Sequence, residues 1–575
     1  MDRREFLTTG ALGTTGIALG AAVPWLTPAA AFAAGNVQRA NGKPWKFGVM
    51  ADTQWGKNLD GLNPGTCAVG IIGLLNAEFV ARGVKFVIQV GDLVDAEDNA
   101  TNGFAGLRNM PVRAAAAGKL YDNGVGFFPL RGNHEGSVTG ANEFAKLYPQ
   151  ARGFGSNVGD ADNFSSPFGS LDGLSYSFDV GNVRFVMLDQ FVRSDGTGTG
   201  NAITTVVDNN ILDQQSWIDD RLENRDSNSH AFVLAHKNLI GQNHTDCLFG
   251  ANPSTNAAGR NAFIGSMQSN GVRYVLGGHD HMHHRSVVTS PDGASSVKEL
   301  ICASDSYKFY YPAKPSNDAA YDAPTREVSI AQELDTVGFY IFTVDGPRVA
   351  VDFYSTAIGP DYGDPVGNEN KLTATPAGTQ FFKRETFGYS LNGKEFLVAQ
   401  GASYAGVHDS FKGTVARILG GTNKNAAKDA SGRGLIKSVN TGWSMPRSRE
   451  DEVASYVLTL WGTADNLSLI DETLTGRIPS ADRPATGDAY ALSLSYDKEG
   501  TRGVKVTNGH FGIASRDASG HWVNAVNRNA GGTKAFVAGP YNAAYGLGTY
   551  GVDAAARTAW AVVNYDGDFA VAMGL

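Results

Sequence analysis

The sequence predicts an α/β domain followed by a mainly β domain, and three observations predict it. Between residues 46 and 355, short apolar runs of strand length alternate with helical periodicities. Around 359–380 the chain turns rich in Gly, Pro, Asn, Asp and Thr. Beyond that, strand-like pieces recur between Gly and Asn punctuation, with no comparable helical pattern.

In order, residues 46–50 read as a strand ending in Ala51-Asp52. Residues 68–82 read as a helix, with Ile71, Ile72, Leu75 and Phe79 at helical spacing. Strands follow at 85–90, ending in Gly91-Asp92, and at 127–130, ending in Arg131-Gly132-Asn133-His134. Residues 175–179 and 183–189 form a hairpin about Val180-Gly181-Asn182. A helix over 213–222 carries Trp217, Ile218 and Leu222 on one side. Strands at 230–234 and 272–276 run into His236 and into Gly278-His279-Asp280-His281, and more come at 298–302, 339–344 and 349–353. The polar residues thus stand just past the carboxyl ends of apolar strands, the edge where layered α/β folds build sites. Residues 361–380 are expected to be a linker. Residues 381–575 are expected to be a β-rich domain, a sandwich or barrel, with strands at 395–399, 453–460, 489–495, 522–526 and 558–563.

Composition bounds the function. Across 575 residues, 42% are hydrophobic and 18% charged, enough to build a core and too few charges for a disordered polyelectrolyte. A net charge of -9 lacks the basic footprint of a nucleic-acid binder, so no nucleic-acid partner is expected. Three cysteines, Cys67, Cys247 and Cys302, cannot make a disulfide framework and read as small buried hydrophobes.

Residues 1–34 read as a signal peptide. Arg3-Arg4 followed by Phe6-Leu7, an apolar stretch from Gly10 to Trp25, and Ala31-Phe32-Ala33 make it similar to the twin-arginine type. The expected partner is the twin-arginine export machinery, and the expected destination is the periplasm or the medium. No later segment has the length and apolarity of a membrane span.

Five motifs carry the chemistry, in order: Asp52-Thr53-Gln54, Gly91-Asp92-Leu93-Val94-Asp95, Gly132-Asn133-His134-Glu135, His236, and Gly278-His279-Asp280-His281. Singly, Asp52 and Asp92 could cap turns, Asn133 could serve a turn beside Gly132, and the histidines could be a surface tract. A pairing of His281 with His283 is a further alternative. Taken together the motifs resemble the calcineurin-like metallophosphoesterase family, whose pattern is D-x-H, G-D-x-x-D, G-N-H-E, a lone H, and G-H-x-H. The resemblance covers 42–360, a little over half the chain. It implies a four-layer α/β/β/α sandwich of two mixed sheets with helices outside.

It also implies a phosphodiesterase or phosphatase working with two metal ions that hold the attacking water or hydroxide. By motif match Asp92 bridges the metals, Asp52, Gln54 and His281 complete one site, and Asn133, His236 and His279 complete the other. His134 would act as general acid or charge stabiliser. Asp95, Glu135 and Asp280 would orient these groups. His244 is a candidate contact to a small phosphate-ester substrate. The departure is Gln54, where the family pattern has His. A hard amide oxygen favours Mn²⁺, Mg²⁺ or Ca²⁺ over Zn²⁺ there, with Fe as an alternative. The competing reading is a catalytically degenerate binding protein on the same scaffold.

Overall fold

The computed structural model describes residues 43–56, 60–96, 109–191, 211–244, 246–250, 256–312, 326–357, 369–372, 374–375, 379–446, 453–464 and 487–575. The expected signal peptide and part of the expected linker lie outside these residues.

Sixteen strands come first in the chain: β1 (Trp45–Met50), β2 (Phe86–Val90), β3 (Gly126–Leu130), β4 (Asp162–Ser165), β5 (Tyr176–Val180), β6 (Val183–Leu188), β7 (His230–Ala235), β8 (Tyr274–Gly277), β9 (His283–Thr289), β10 (Ser296–Ile301), β11 (Lys308–Tyr310), β12 (Glu327–Glu333), β13 (Thr336–Asp345), β14 (Arg348–Ala357), β15 (Glu369–Lys371) and β16 (Phe382–Ser390). Six form one sheet in the order β16-β14-β13-β1-β2-β3, and eight form a second in the order β12-β9-β10-β8-β7-β6-β5-β4. β1, β2 and β3 are parallel, as are β6, β7 and β8. Parallel strands covered on both faces should be apolar throughout, and Phe86–Val90 and Val183–Leu188 are buried at every position.

The two sheets face each other across an aromatic core. The Phe47 ring lies 4.7 Å from Phe342 in its own sheet, and 5.1 and 5.6 Å from Phe185 and Phe232 across the gap. Phe128 stacks on Phe178 at 4.4 Å. Helices close the outer faces. α1 (Val69–Arg82) buries Ile71, Ile72, Leu75 and Phe79 against the first sheet and ends at Gly83 in the left-handed conformation. The helices Ile211–Glu223 and Ala257–Ser269 cover the second. This is the four-layer α/β/β/α sandwich that the motif resemblance implies.

The first sheet extends past the expected linker: Phe382–Ser390 returns to it and pairs antiparallel with β14. The expected division at 380 therefore cuts through a sheet, because a polar, glycine-rich connection does not reveal which sheet the next strand joins. After that strand come two six-stranded sheets sharing one core that contains Trp443, Tyr490, Phe511 and Phe569. The C-terminal part is thus a β sandwich, not a barrel. All three cysteines are buried and free. Among the described residues, no helix is long and apolar enough to cross a membrane.

Candidate metal centre

The carboxyl ends of β1, β2, β3, β7 and β8 meet at one edge, and each delivers one motif there. The backbone is bent to do so. Asp52, Asp92, His279 and His281 all adopt positive φ, at 52°, 43°, 70° and 52°. That region costs a non-glycine residue on the order of 1–3 kcal/mol, and such strain collects at functional sites. The motif glycines are steric necessities. A Cβ on Gly132 would lie 1.9 Å from Asp92 Oδ1, and one on Gly91 would lie 2.2 Å from His236 Nδ1.

Two groups of three potential ligands converge, Asp92 with His236 and His279, and Asp52 with Asp92 and His281. Asp92 belongs to both. Within each group the ligand atoms lie within 4.8 Å of one another. All five residues are buried. Each imidazole has one nitrogen tied to an acceptor outside the cluster. His236 Nδ1 donates to the Val90 carbonyl at 3.1 Å, His281 Nδ1 to the Lys308 carbonyl at 2.8 Å, and His279 Nε2 to Asp246 Oδ1 at 3.1 Å. The other nitrogen is left as the ligand atom, the arrangement that fixes tautomer and ring orientation at metal sites. His236 Nε2 lies 3.2 Å from Asp92 Oδ1 and 2.9 Å from Asn133 Oδ1. His281 Nε2 lies 3.6 Å from Asp52 Oδ1.

The electrostatics fit a cation. Burial alone would lower the pKa of His236, but Asp92, and then Asp52, hold it up at about 9. A proton is drawn to the point where three electron-rich atoms meet, and a divalent ion would compete for it. Burial pushes the carboxyl of Asp52 well above its usual range. Burial acts the same way on Asp92, but the His236 and His134 rings outweigh it and hold that carboxyl low. Burial, with His244 beside it, lowers His279 to about 4. Burial and Lys308 likewise push His281 well below its usual value, which favours the neutral ring that a ligand requires. Two buried oxygens, Asp52 Oδ2 and Gln54 Oε1, have no hydrogen-bond partner among the described residues. Buried oxygens of that kind normally have a partner or a bound ion. The Gln54 amide lies against Asp92, with Nε2 donating to Oδ2 at 2.9 Å. The residues present therefore fit a pair of oxygen- and nitrogen-liganded divalent cations.

His134 belongs to neither group. Its Nδ1 donates to the Asp95 carbonyl at 2.6 Å, and its Nε2 points back to within 3.9 Å of Asp92 Oδ2. Its side chain is 14% exposed. Glu135 bridges two motif loops, accepting from Val94 N and Gly132 N at 3.0 Å each. Burial and the nearby Asp92 push its carboxyl up to about 8. Asp280 accepts from the backbone N and Nδ1 of His244 at 2.9 and 2.8 Å. His244 stacks on His279 with ring centroids 4.1 Å apart, at the rim of the cluster. The shifted histidine pairing fails geometrically, since His283 turns its nitrogens to Tyr340 Oη and Glu385. The surface-tract alternative fails too, because His279, His281, His283 and His284 are all buried.

Sequence reasoning missed three residues. Asp246 orients His279 and is itself paired with Lys237 at 2.6 Å. Lys308 reaches Asp95 Oδ1 at 3.2 Å, while its carbonyl holds His281. Tyr310 places its ring 4.8 Å from both His244 and His281. Lys308 and Tyr310 follow β10 at the same sheet edge, a position that could have drawn notice. Asp246 lies in a loop with no motif and no periodic signal.

This fold and edge-built cluster agree with the arrangement that the motif resemblance implies. Residues 46–283, less than half of the chain, match the family model described as calcineurin-like phosphoesterase. Among solved structures, a dimetal phosphatase from Danio rerio is 16% identical over 53% of this chain and 95% of that one, with a TM-score of 0.34. Purple acid phosphatase PPD1 from yellow lupin is 16% identical over 61% and 55%, with a TM-score of 0.38. GAP50, the anchor in the inner membrane complex of Plasmodium, is 13% identical over 54% and 84%, with a TM-score of 0.32. No curated protein sequence matches the chain.

Proposed function

We propose that this domain hydrolyses phosphate esters at a two-metal centre whose shared ligand is Asp92. The observation that carries the reading is that one buried carboxylate belongs to two converging groups of ligands. Asp52, Gln54 and His281 would complete the first site, and Asn133, His236 and His279 the second. When bound, the metals would neutralise the ester's charge and lower the pKa of a water held between them.

The protein's own groups supply the rest. His134, held by the Asp95 carbonyl, has its Nε2 directed toward the reacting region, where it can give a proton to the leaving oxygen or stabilise developing charge. Glu135 fixes the loops bearing Asp92 and Asn133 relative to each other. His244 and Tyr310 form a wall against which a small ester would rest. The acidic net charge of -9 favours such a substrate over a nucleic-acid polymer. Gln54 favours Mn²⁺, Mg²⁺ or Ca²⁺ over Zn²⁺ in the first site, with Fe as an alternative.

Assay of the purified, Mn²⁺-loaded protein on mono- and bis-p-nitrophenyl phosphate tests this. Hydrolysis that is lost on chelation and regained with Mn²⁺ is expected, and the ratio of the two rates sorts monoesterase from diesterase. Tight metal binding with neither ester hydrolysed would favour the degenerate-scaffold reading, which the amide at Gln54 motivates.

Export is proposed on Arg3-Arg4 and Ala31-Phe32-Ala33 alone. Fractionation of cells lacking the twin-arginine pathway should leave the precursor in the cytoplasm. Unchanged export there would end that reading.

A further inference from the structure

The C-terminal sandwich touches the catalytic domain directly behind the His244 loop. Arg433 reaches across from the sandwich side with all three guanidinium nitrogens engaged. Its Nη1 donates to Glu327 Oε2 at 2.7 Å, its Nη2 to Gln242 Oε1 at 3.0 Å, and its Nε to Asp429 Oδ2 at 2.7 Å. Glu327 is fully buried in β12 and also accepts from His284 Nε2 at 2.8 Å and Gln242 Nε2 at 3.0 Å. The Gln242 backbone N–H donates to Asp280 Oδ2 at 2.5 Å, and Asp280 Oδ1 holds His244.

The same segment is fastened at three other points. Ser329 Oγ donates to Asp429 Oδ2 at 2.6 Å, Ala430 N to Gln332 Oε1 at 2.7 Å, and Ile436 N to the Ser329 carbonyl at 3.0 Å. Ala430 also packs on the small apolar cluster that contains Tyr310. A continuous chain of buried, charge-assisted contacts therefore runs from the sandwich to the loop flanking the ligand cluster.

We propose that the C-terminal sandwich is part of the catalytic apparatus, with Arg433 as a positioning residue that holds the His244 loop, through Gln242 and Asp280, in its substrate-facing conformation. A planar guanidinium satisfies Glu327 and Gln242 at fixed angles, which a lysine does not. The inference rests on the reading of His244 as a substrate contact.

A second contact between the domains provides the control. Lys298 Nζ pairs with Glu395 Oε1 at 2.7 Å, a contact that is not a link in the Arg433–Glu327–Gln242 chain. The test compares Arg433→Ala, Gln242→Ala and Glu395→Gln in the full chain. The expected result is a KM for bis-p-nitrophenyl phosphate about 10-fold higher in the first two, with kcat little changed. No further rise is expected in the double variant, and KM should be unaltered in Glu395→Gln. Hydrogen exchange over residues 238–244 should speed up in Arg433→Ala and stay at the wild-type rate in Glu395→Gln. Gln242→Ala leaves the ion pair in place, so it serves if Arg433→Ala fails to fold. Equal effects from all three variants, or unchanged KM and exchange in Arg433→Ala, would overturn the proposal. If the wild type hydrolyses no ester, the functional reading fails, while the exchange comparison still decides the coupling.

Discussion

Replacing His134 with Ala is expected to lower kcat on a phosphate ester by about 10²–10⁴-fold, the usual contribution of a positioned general acid or base. The protein should keep its fold and its metals. His134 lies outside both ligand groups, and its partly exposed ring fills no core cavity. Its one strong contact is the donation from Nδ1 to the Asp95 carbonyl. Steady-state kinetics with metal analysis of the same sample check this. An unchanged kcat would remove His134 from the chemistry, and loss of metal would recast it as a ligand.

Asp92→Asn should have the opposite signature. The amide keeps the shape but loses the charge shared by both groups, and its NH₂ would face nitrogen or oxygen ligands that need a cation. Both metals are expected to be lost or weakly held. Losing metal-based charge stabilisation of several kcal/mol, at about 1.4 kcal/mol per decade, predicts a fall in kcat/KM of about 10³-fold or more. Metal content by elemental analysis, beside activity, distinguishes this variant from His134→Ala. Retention of two metals by Asp92→Asn would mean that another residue bridges them.

Much of the front half was legible because its signals are local. Phe86–Val90 is apolar except for Gln89 and runs into Gly91-Asp92, so the chain itself marks both a buried parallel strand and the polar group at its end. The same held for Asn133, His236 and His279, each a fixed step past an apolar run. What escaped notice depends on contacts distant in sequence. Asp246 matters only because the fold brings it to His279, 33 residues on. Lys308 matters because Asp95 lies beside it, 213 residues earlier. β9, with His283, His284 and Arg285, looked like a polar tract, yet it is buried at every position. Its charges are matched by Glu385 from β16 and Glu327 from β12. The return of Phe382–Ser390 to the first sheet, and the seat of Arg433 against Glu327, were invisible for the same reason.

In the proposed centre one carboxylate, Asp92, serves two cations, so the most direct test is to count them. Titration of the metal-stripped protein with Mn²⁺, followed by calorimetry and elemental analysis, should give two ions per chain, both losing affinity together in Asp92→Asn. A single ion per chain, or two ions of which only one responds to Asp92, would contradict it.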